Sequence, residues 1–517
     1  MTVKNLSVTK VTLPKTKTLY MEDPDHSGWF LTAAVSPSLV GEELLNAVTY
    51  ASAKPEVAVV DPTTGVLTPL KTGYTYVTAS VGGKTSNRCK VTVTSKAIKS
   101  LSIKTPDDAP VVLDPLETAQ LEAVVNPSYA ADRRVLWISS DDTVATVDEA
   151  TGLVTANGSG AATITCWSVA NPRVKVSIRV HVRGGDMRTV TVTAAGDAVL
   201  GGDPRPKGSG AANPRSDLEF QSAIWQPGDD GVAGDGTVFT RVASYFAGAN
   251  NISTFNLEGT LTSKASYGSK PFVFRGRTAY ASTMLKAGGI DAVSVANNHT
   301  YDVGAAGYAQ TRSALKGAGI LGYGNGITGA VTSENGLRVG FLGFVSKGLS
   351  AGSMRAQIRS AAKKYDLVVV AFHWTDVPEF KYAMPTGRQK SLARAAVSAG
   401  ADLVVGHHTH RLNGIERFKG KYIVYDLGNF VTIARNPLNA FSAANPQGKY
   451  DYDSLIYQQT FNVWPDGFVE AAGIRLIPCA ITSAPVGQIN TCQPMPYANS
   501  EDIQRVLRRV AAQSPSD

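Results

Sequence analysis

The chain has 517 residues, 43% hydrophobic and 18% charged, with 50 Lys and Arg against 42 Asp and Glu and a formal net charge of +8. That length predicts two to four domains with several buried cores, and four cysteines are too few for a disulfide scaffold. No run approaches the roughly 18 apolar residues of a spanning helix. The positive excess, though compatible with a polyanion partner, is spread thinly and favours a mildly basic surface over a dedicated polyanion groove; no nucleic acid is expected.

Residues 1–183 repeat themselves. PEVAVVDPTTGVLTPLKTG in Lys54–Gly73 answers DTVATVDEATGLVTANGSG in Asp141–Gly160, with Val57, Asp61, Gly65 and Gly73 each matched 87 residues later. Val/Thr alternation broken by turn dipeptides at so long a period predicts tandem all-β sandwiches, here 1–95 and 96–183. The line resembles the group-2 bacterial immunoglobulin-like repeat, which implies a spacer or adhesive stalk on an exported protein. Gly65 and Gly152 are expected to close hairpin turns that need positive φ. Cys89 and Cys166 read as small buried hydrophobes, whereas Cys479 and Cys492, flanking a short Pro/Gly/Asn segment, are expected to be able to bridge in an oxidising compartment. The N-terminus shows no basic-then-apolar signal pattern.

After Arg183–Asp186 the composition changes. Apolar runs alternate with helical stretches at Ala279–Ala287, Gly304–Ala318, Met354–Lys364 and Thr386–Ala399, predicting β-α units and a mostly parallel core. A domain is expected over 187–480, followed by a C-terminal extension over 481–517 with a helix at Glu501–Ala512 capped by Ser500. Ser209–Gly236 reads as an irregular excursion near a site mouth, and Tyr422–Val431 and Ser454–Val463 as late strands.

Five apolar runs end on groups that bind metals or move protons. Thr189–Ala195 leads to Asp197, Ile252–Phe255 to Asn256 and Glu258, and Ala292–Ala296 to Asn297, Asn298 and His299. Leu367–Phe372 leads to His373, and Leu403–Val405 to His407, His408 and His410. Parallel strands read as continuous apolar runs, and their carboxyl ends converge on one crevice. Two divalent ions about 4 Å apart clamp the attacking and leaving oxygens of a displacement. Such a site needs carboxylates, for which Asp197 and Glu258 are the candidates. It also needs neutral ligands, here Asn298, His373, His408 and His410, and an acid for the leaving group, here His299. Mixed nitrogen and oxygen ligation favours Mn, Zn or Fe over Mg or Ca, with one or two ions expected. Asp302 is placed either to hold the His299 tautomer or to cap the helix starting near Gly304. Arg275 is a candidate for a bidentate anion contact or a surface ion pair, Lys270 has a weaker claim, and Asn429 faces either the cleft or a turn. Gly322, Gly324 and Gly326 lack the Lys-Ser/Thr of a P-loop and read as backbone approaching the site.

The segments GDAVLGG, FNLEGTLT, KPFVFRG, VANNHTYDVG, FHW, PTGRQKSLARA, GADLVVGHHTHRLNGIE and YDLGNFV, in order over 187–480, resemble the CapA family of poly-γ-glutamate capsule-synthesis proteins. That resemblance implies a calcineurin-like metallophosphoesterase fold, a β-sheet sandwich flanked by helices, following the two immunoglobulin-like sandwiches. It carries the superfamily's ligand positions onto Asp197, Glu258, Asn298–His299, His373, His408 and His410, with His407 at a glycine position behind them. Val199 stands where the superfamily has histidine, and the acid expected after the His-Trp pair is displaced to Asp376 or Glu379. The functional expectation is a cell-surface protein that synthesises, anchors or processes an anionic polymer or a phosphoester, with Asn256, Lys270, Arg275, His407 and Asn429 touching substrate and His299 and Asp302 catalytic. Capsule-synthesis membrane proteins are the expected partners. The alternative is an adhesion scaffold with a degenerate metal domain; a nucleotidase lacks an assignable base clamp.

Overall fold

The computed structural model describes residues 7–21, 29–36, 48–106, 109–205, 216–265, 267, 270–380, 384–433, 452–484 and 489–515. Two compact units divide at Gly184 and Gly185, and the molecule is mostly β.

The first unit holds two sandwiches of the same plan. In the first, Thr16–Tyr20, Cys89–Thr94, Gly73–Val81 and Thr49–Ser52 lie side by side in one sheet. In the second, Val111–Leu113, Lys175–Val182, Gly160–Ser168 and Val135–Ser139 do the same. Strict alternation points Val77, Ala79, Val91 and Val93 inward in one repeat and Ala162, Ile164, Val180 and Val182 in the other, and Cys89 and Cys166 are fully buried among them. Gly65 and Gly152 have φ of 72° and 76°. A Cβ on Gly65 would stand 2.4 Å from the Leu31 carbonyl, and one on Gly152 2.8 Å from the Trp137 ring.

Each turn is also tied by its aspartate. Asp61 accepts from the Thr63 and Thr64 backbone N–H groups, and Asp148 from those of Ala150 and Thr151. Donation from Thr64 and Thr63, and from Thr151 and Ala150, holds both carboxyls below the usual range. A depressed folded pKa gives stability that is present above the unfolded value and lost as pH falls through the folded one. Asp61→Asn with Asp148→Asn is therefore expected to lower the melting temperature at pH 6. The difference from the parent protein shrinks as thermal unfolding is followed below about pH 4.

The second unit stacks two sheets. The eight-stranded sheet runs Leu321–Tyr323, Ala292–Ser294, Asn251–Leu257, Arg188–Ala198, Asp453–Val463, Val469–Ala480 and Met495–Pro496, with Asn429–Val431 beside the end of Arg188–Ala198. The six-stranded sheet runs Gly329–Thr332, Arg338–Val345, Leu367–His373, Leu403–His407, Lys421–Val424 and Ile415–Phe418. Val190, Val192 and Ala194 of the first meet Val339, Phe341, Val369 and Val405 of the second in the central core. Helices cover both outer faces: Asp217–Ala223 and Gly304–Gly317 with the π-helical Ala281–Lys286 on one, Ala351–Ala362 and Gly387–Ala399 on the other.

Several expectations need correction. Most strand pairs of this unit are parallel, as expected, but Asp453–Val463 and Val469–Ala480 add an antiparallel half to the larger sheet. Tyr422–Val431 is two strands, because Asp426 accepts from the Gly428 N–H at 2.8 Å and Gly428 turns with φ of 71°. Within Ser209–Gly236, residues 209–215 lie outside the described residues. The rest contains the helix Asp217–Ala223, closed by a Ser216–Glu219 capping box, and Asp229 N–H bonds the Ser483 carbonyl. The last helix, Ser500–Gln513, is capped by Asn499 rather than Ser500. Cys479 and Cys492 are buried and are not bridged to each other.

Candidate metal centre

Strand ends deliver the site. Asp197 is the penultimate residue of Arg188–Ala198, and Glu258 follows Asn251–Leu257. Asn297–His299 follow Ala292–Ser294, and His373 and His407 end neighbouring strands of the other sheet, paired in register. Buried Val, Ile and Ala runs fix those strands on both faces, so the polar residues beyond them have little freedom to stray.

Asp197 is fully buried. Its Oδ1 accepts from Asn256 Nδ2 at 2.7 Å and its Oδ2 from the His408 backbone N–H at 2.8 Å. Nδ1 of His410 and His407 lie 3.5 and 3.7 Å from its oxygens. Glu258 is 1% exposed, and neither of its oxygens has a hydrogen-bond partner. His373 Nε2 stands 3.7 Å from Glu258 Oε1, 3.1 Å from His408 Nδ1 and 2.7 Å from Asn298 Oδ1. One ligand atom each from Glu258, His373 and His408 lies within 4.8 Å of the others, and the same holds for Asp197, Glu258 and His410. Glu258 is common to both triads. These groups are possible metal-binding sets.

His408 and His410 turn their rings together through left-handed backbone, φ 95° and 57°, a conformation that costs on the order of 1 kcal/mol or more for each. Asp426 holds that turn: its Oδ2 accepts from both the N–H and the Oγ1 of Thr409, each at 2.9 Å. Asp426 carried no sequence expectation, although it follows the buried Lys421–Val424 strand as the other ligands follow theirs.

Burial sets the charge state. It pushes Asp197 up to about 7, and raises Glu258 and Asp426 well above the carboxylate range with help from the Asp197 charge. It lowers His407 to about 3 and His408 and His410 to about 4, and lowers His373 as well. Neutral imidazoles with free lone pairs beside buried carboxylate oxygens that lack donors are the chemistry of a divalent transition-metal site. The residues fit such an ion.

His299 forms a separate arm. Its Nδ1 is 2.7 Å from Asp302 Oδ2, and its ring stacks on Phe274 with centroids 4.2 Å apart. Asp302 also accepts from the Phe274 N–H and from Lys270 Nζ, each at 2.8 Å, and Lys270 Nζ donates to the Asn298 carbonyl. Val303, not Asp302, occupies the cap of the next helix. Asp302 therefore orients imidazole, the first of its two expected roles.

The other candidates divide. Asn256 and His407, expected to touch substrate, are 0% and 1% exposed and pack around Asp197. Among the described residues Arg275 forms no surface ion pair; its Nη1 donates to the Lys264 carbonyl and the Tyr267 hydroxyl. Asn429 pairs in register with Asp197 across adjoining strands. Asp376 is held by Arg388 at 2.5 Å, whereas Glu379 reaches within 4.0 Å of His408 and 3.9 Å of His410, so Glu379 is the acid at the centre. Phe380 beside it stacks on His410 at 5.2 Å. Gly324 approaches the end of the Ala292 run so closely that a Cβ would lie 2.6 Å from that of Ala296. Val199, where the resemblance misses a histidine, is 6% exposed.

Fold and site together define a two-sheet α/β domain with a buried histidine–carboxylate cluster, carried on a chain with two sandwich repeats. Residues 191–433 match the bacterial capsule synthesis protein family PGA_cap, 97–178 match the group-2 bacterial Ig-like domain and 46–95 a bacterial Ig-like domain. The chain thus carries a PGA_cap (CapA) domain preceded by two bacterial Ig-like domains. It is 36% identical over 172 residues to the capsule biosynthesis protein CapA of Bacillus anthracis, covering 28% of this chain and 41% of that one. It is 36% identical over 170 residues to the PGA biosynthesis protein CapA of Bacillus subtilis, covering 29% and 44%. The matched region spans less than half the length of either relative. Among solved structures, surface layer protein SbsC domains 1–6 aligns with 24% identity and a TM-score of 0.26, covering 36% of this chain and 29% of that one. No helix among the described residues is long and apolar enough to cross a membrane.

Proposed function

We propose that the second unit is a metallophosphoesterase-like, metal-dependent hydrolase that processes or helps assemble an anionic capsule polymer of the poly-γ-glutamate kind at the cell surface, alongside membrane components of capsule synthesis. The observation that carries this reading is Glu258: a carboxylate sealed from water, with both oxygens unpartnered, shared by two sets of ligand atoms. A buried charge without a partner is costly, and a divalent ion offsets that cost. Asp197, Glu258, His373, His408 and His410 would hold one or two ions of Mn, Zn or Fe, with Asn298 and Glu379 beside them. Such an ion supplies Lewis acidity toward the oxygens of a phosphoester or amide-type bond.

The chain's own residues do the rest. Asn256 and the His408 N–H fix both oxygens of Asp197. Asp302 takes the Nδ1 proton of His299 in a hydrogen bond, so Nε2 is the atom that hands a proton to the leaving group or receives one. Lys270 fixes Asp302 and places a positive charge beside the Asn298 carbonyl, where an anionic substrate arrives.

Elemental analysis of purified protein, with hydrolysis assays on poly-γ-glutamate and a generic phosphodiester, tests the reading. Bound transition metal lost on His408→Ala with His410→Ala supports it. Absence of metal and of hydrolysis leaves the adhesion scaffold instead. Asp302→Asn is expected to keep the metal but lower kcat by about 10²-fold or more. Unchanged kinetics would remove Asp302 from the mechanism.

A further inference from the structure

The first sandwich repeat carries a feature that its fold does not require. Alternation along Gly73–Val81 and Cys89–Thr94 turns Tyr74, Tyr76 and Lys90 to the outer face of the sheet, opposite the buried Val77 and Val91. Lys54 Nζ and Lys90 Nζ stand 5.2 and 4.9 Å from the centre of the Tyr74 ring, and the Arg88 guanidinium 5.0 Å from that of Tyr76. The two rings meet edge-on at 5.9 Å, and Tyr74 is 48% exposed. Among the described residues, no ion pair engages Lys54, Arg88 or Lys90. Three cations are thus gathered by aromatic faces, which hold the side chains in place while leaving their charge uncompensated.

The second repeat is an internal comparison. Tyr76 lies opposite Lys90 across the strands, as Thr163 lies opposite Arg179. The positions of Tyr74 and Tyr76 are taken there by Ala161 and Thr163, and that of Lys54 by Asp141. The same sandwich folds around the same inward residues with neither the aromatic pair nor the clustered charge. Stability of the fold therefore does not explain the cluster, and among the described residues no carboxylate pairs with it.

We propose that this face of the first repeat binds an extended polycarboxylate chain of the polyglutamate type. The amino groups and guanidinium would pair with successive carboxylates, and the tyrosine rings would pack on the aliphatic segments between them. The choice of polymer rests on the function proposed for the second unit; the cationic–aromatic face does not. Side chains already held over rings lose less freedom on binding, which favours an extended, multivalent ligand.

The test is binding of the full chain to immobilised poly-γ-glutamate at low and high salt, with single-stranded DNA and neutral dextran as competitors. Lys54→Ser with Arg88→Ser and Lys90→Ser is expected to weaken binding about tenfold or more and to flatten its salt dependence. Tyr74→Ser with Tyr76→Ser is expected to weaken it with the salt dependence retained. Arg179→Ser on the second repeat is expected to leave it unchanged. Circular dichroism of each variant reports that the sandwich is intact. Wild-type binding by the triple variant overturns the proposal, as does tighter binding of DNA or dextran to the same face. His408→Ala with His410→Ala separates the two readings: it abolishes metal-dependent hydrolysis and keeps polymer binding if the face acts on its own, whereas loss of binding in that variant overturns the proposal.

Discussion

Replacing Glu258 with glutamine is expected to weaken metal binding by at least about 100-fold and to abolish hydrolysis, while leaving the metal-free protein as stable as before or more so. The two effects separate a ligand from a structural residue. Both Glu258 oxygens are buried without donors, so in the metal-free protein the carboxylate contributes a desolvation cost and little else. The amide has nearly the same shape and no charge, and so removes that cost together with the shared ligand. The pH behaviour of the metal-free protein follows from its neighbours. Asp197 is raised to about 7 by burial. A folded pKa above the unfolded value gives stability that is present at low pH and lost as pH rises through the folded value. The lowered His407, His408 and His410 act in the opposite sense: their contribution is present above the unfolded histidine value and lost as pH falls from about 6.5 toward 4. Above about pH 6.5 these three histidines no longer change that contribution, and the raised Asp197 does. Chelator-treated protein should therefore lose stability as pH rises through 7, by on the order of a few kcal/mol, while metal-loaded protein should not. Thermal unfolding of both forms from pH 6 to pH 8.5 measures this, and parallel curves would show that no cation balances the buried carboxylates.

Much of this centre was readable because local and global signals agree at strand ends. A buried parallel strand must be apolar along its length, so the first polar residue after Leu367–Phe372 or Leu403–Val405 declares itself as a choice of chemistry. Asp197, Glu258, His373, His408 and His410 were found that way and are gathered in one place. Where the chain returns from elsewhere, the signal fails. Asp376 and Glu379 lie three positions apart in one loop, and only the Arg388 side chain, reaching back from the next helix, separates the salt-bridged acid from the one beside the histidines. Asp426 was passed over for Asn429 because its partner, Thr409, sits 17 residues earlier. Asn256 and His407 read as substrate contacts because sequence shows which residues are polar but not which lie behind another side chain. The helix Asp217–Ala223 was hidden in a Gly/Pro/Asp-rich stretch whose only local cue was the Ser216–Glu219 capping pair.

Gly406→Ala is expected to destabilise the second unit by about 3 kcal/mol, the upper end of what overpacking costs, and to weaken metal binding although the residue carries no ligand. A Cβ at this position would stand 1.9 Å from the Tyr425 carbonyl oxygen and 2.3 Å from Trp374 Nε1. Those two atoms are hydrogen-bonded to each other at 2.7 Å, so the methyl would be driven between a donor and its acceptor, both fully buried. Neither obstacle is the free end of a flexible chain. Trp374 is pinned by stacking on Phe372 with centroids 4.5 Å apart, and its backbone N–H donates to the His407 carbonyl; Tyr425 is anchored by its hydroxyl to Glu416. Relief has to come from the backbone, by parting Leu403–His407 from the segment after Lys421–Val424. That displacement carries His407 and the His408 N–H with it, and the His408 N–H is one of the two donors that orient Asp197. Gly387→Ala is the control. Nothing lies within 4 Å of its Cβ position at the start of a helix, so alanine there is expected to be neutral or to stabilise by up to about 1 kcal/mol. Denaturant unfolding with metal titration of the two variants distinguishes them, and equal behaviour would mean that the close approach of these two segments does not hold the centre together.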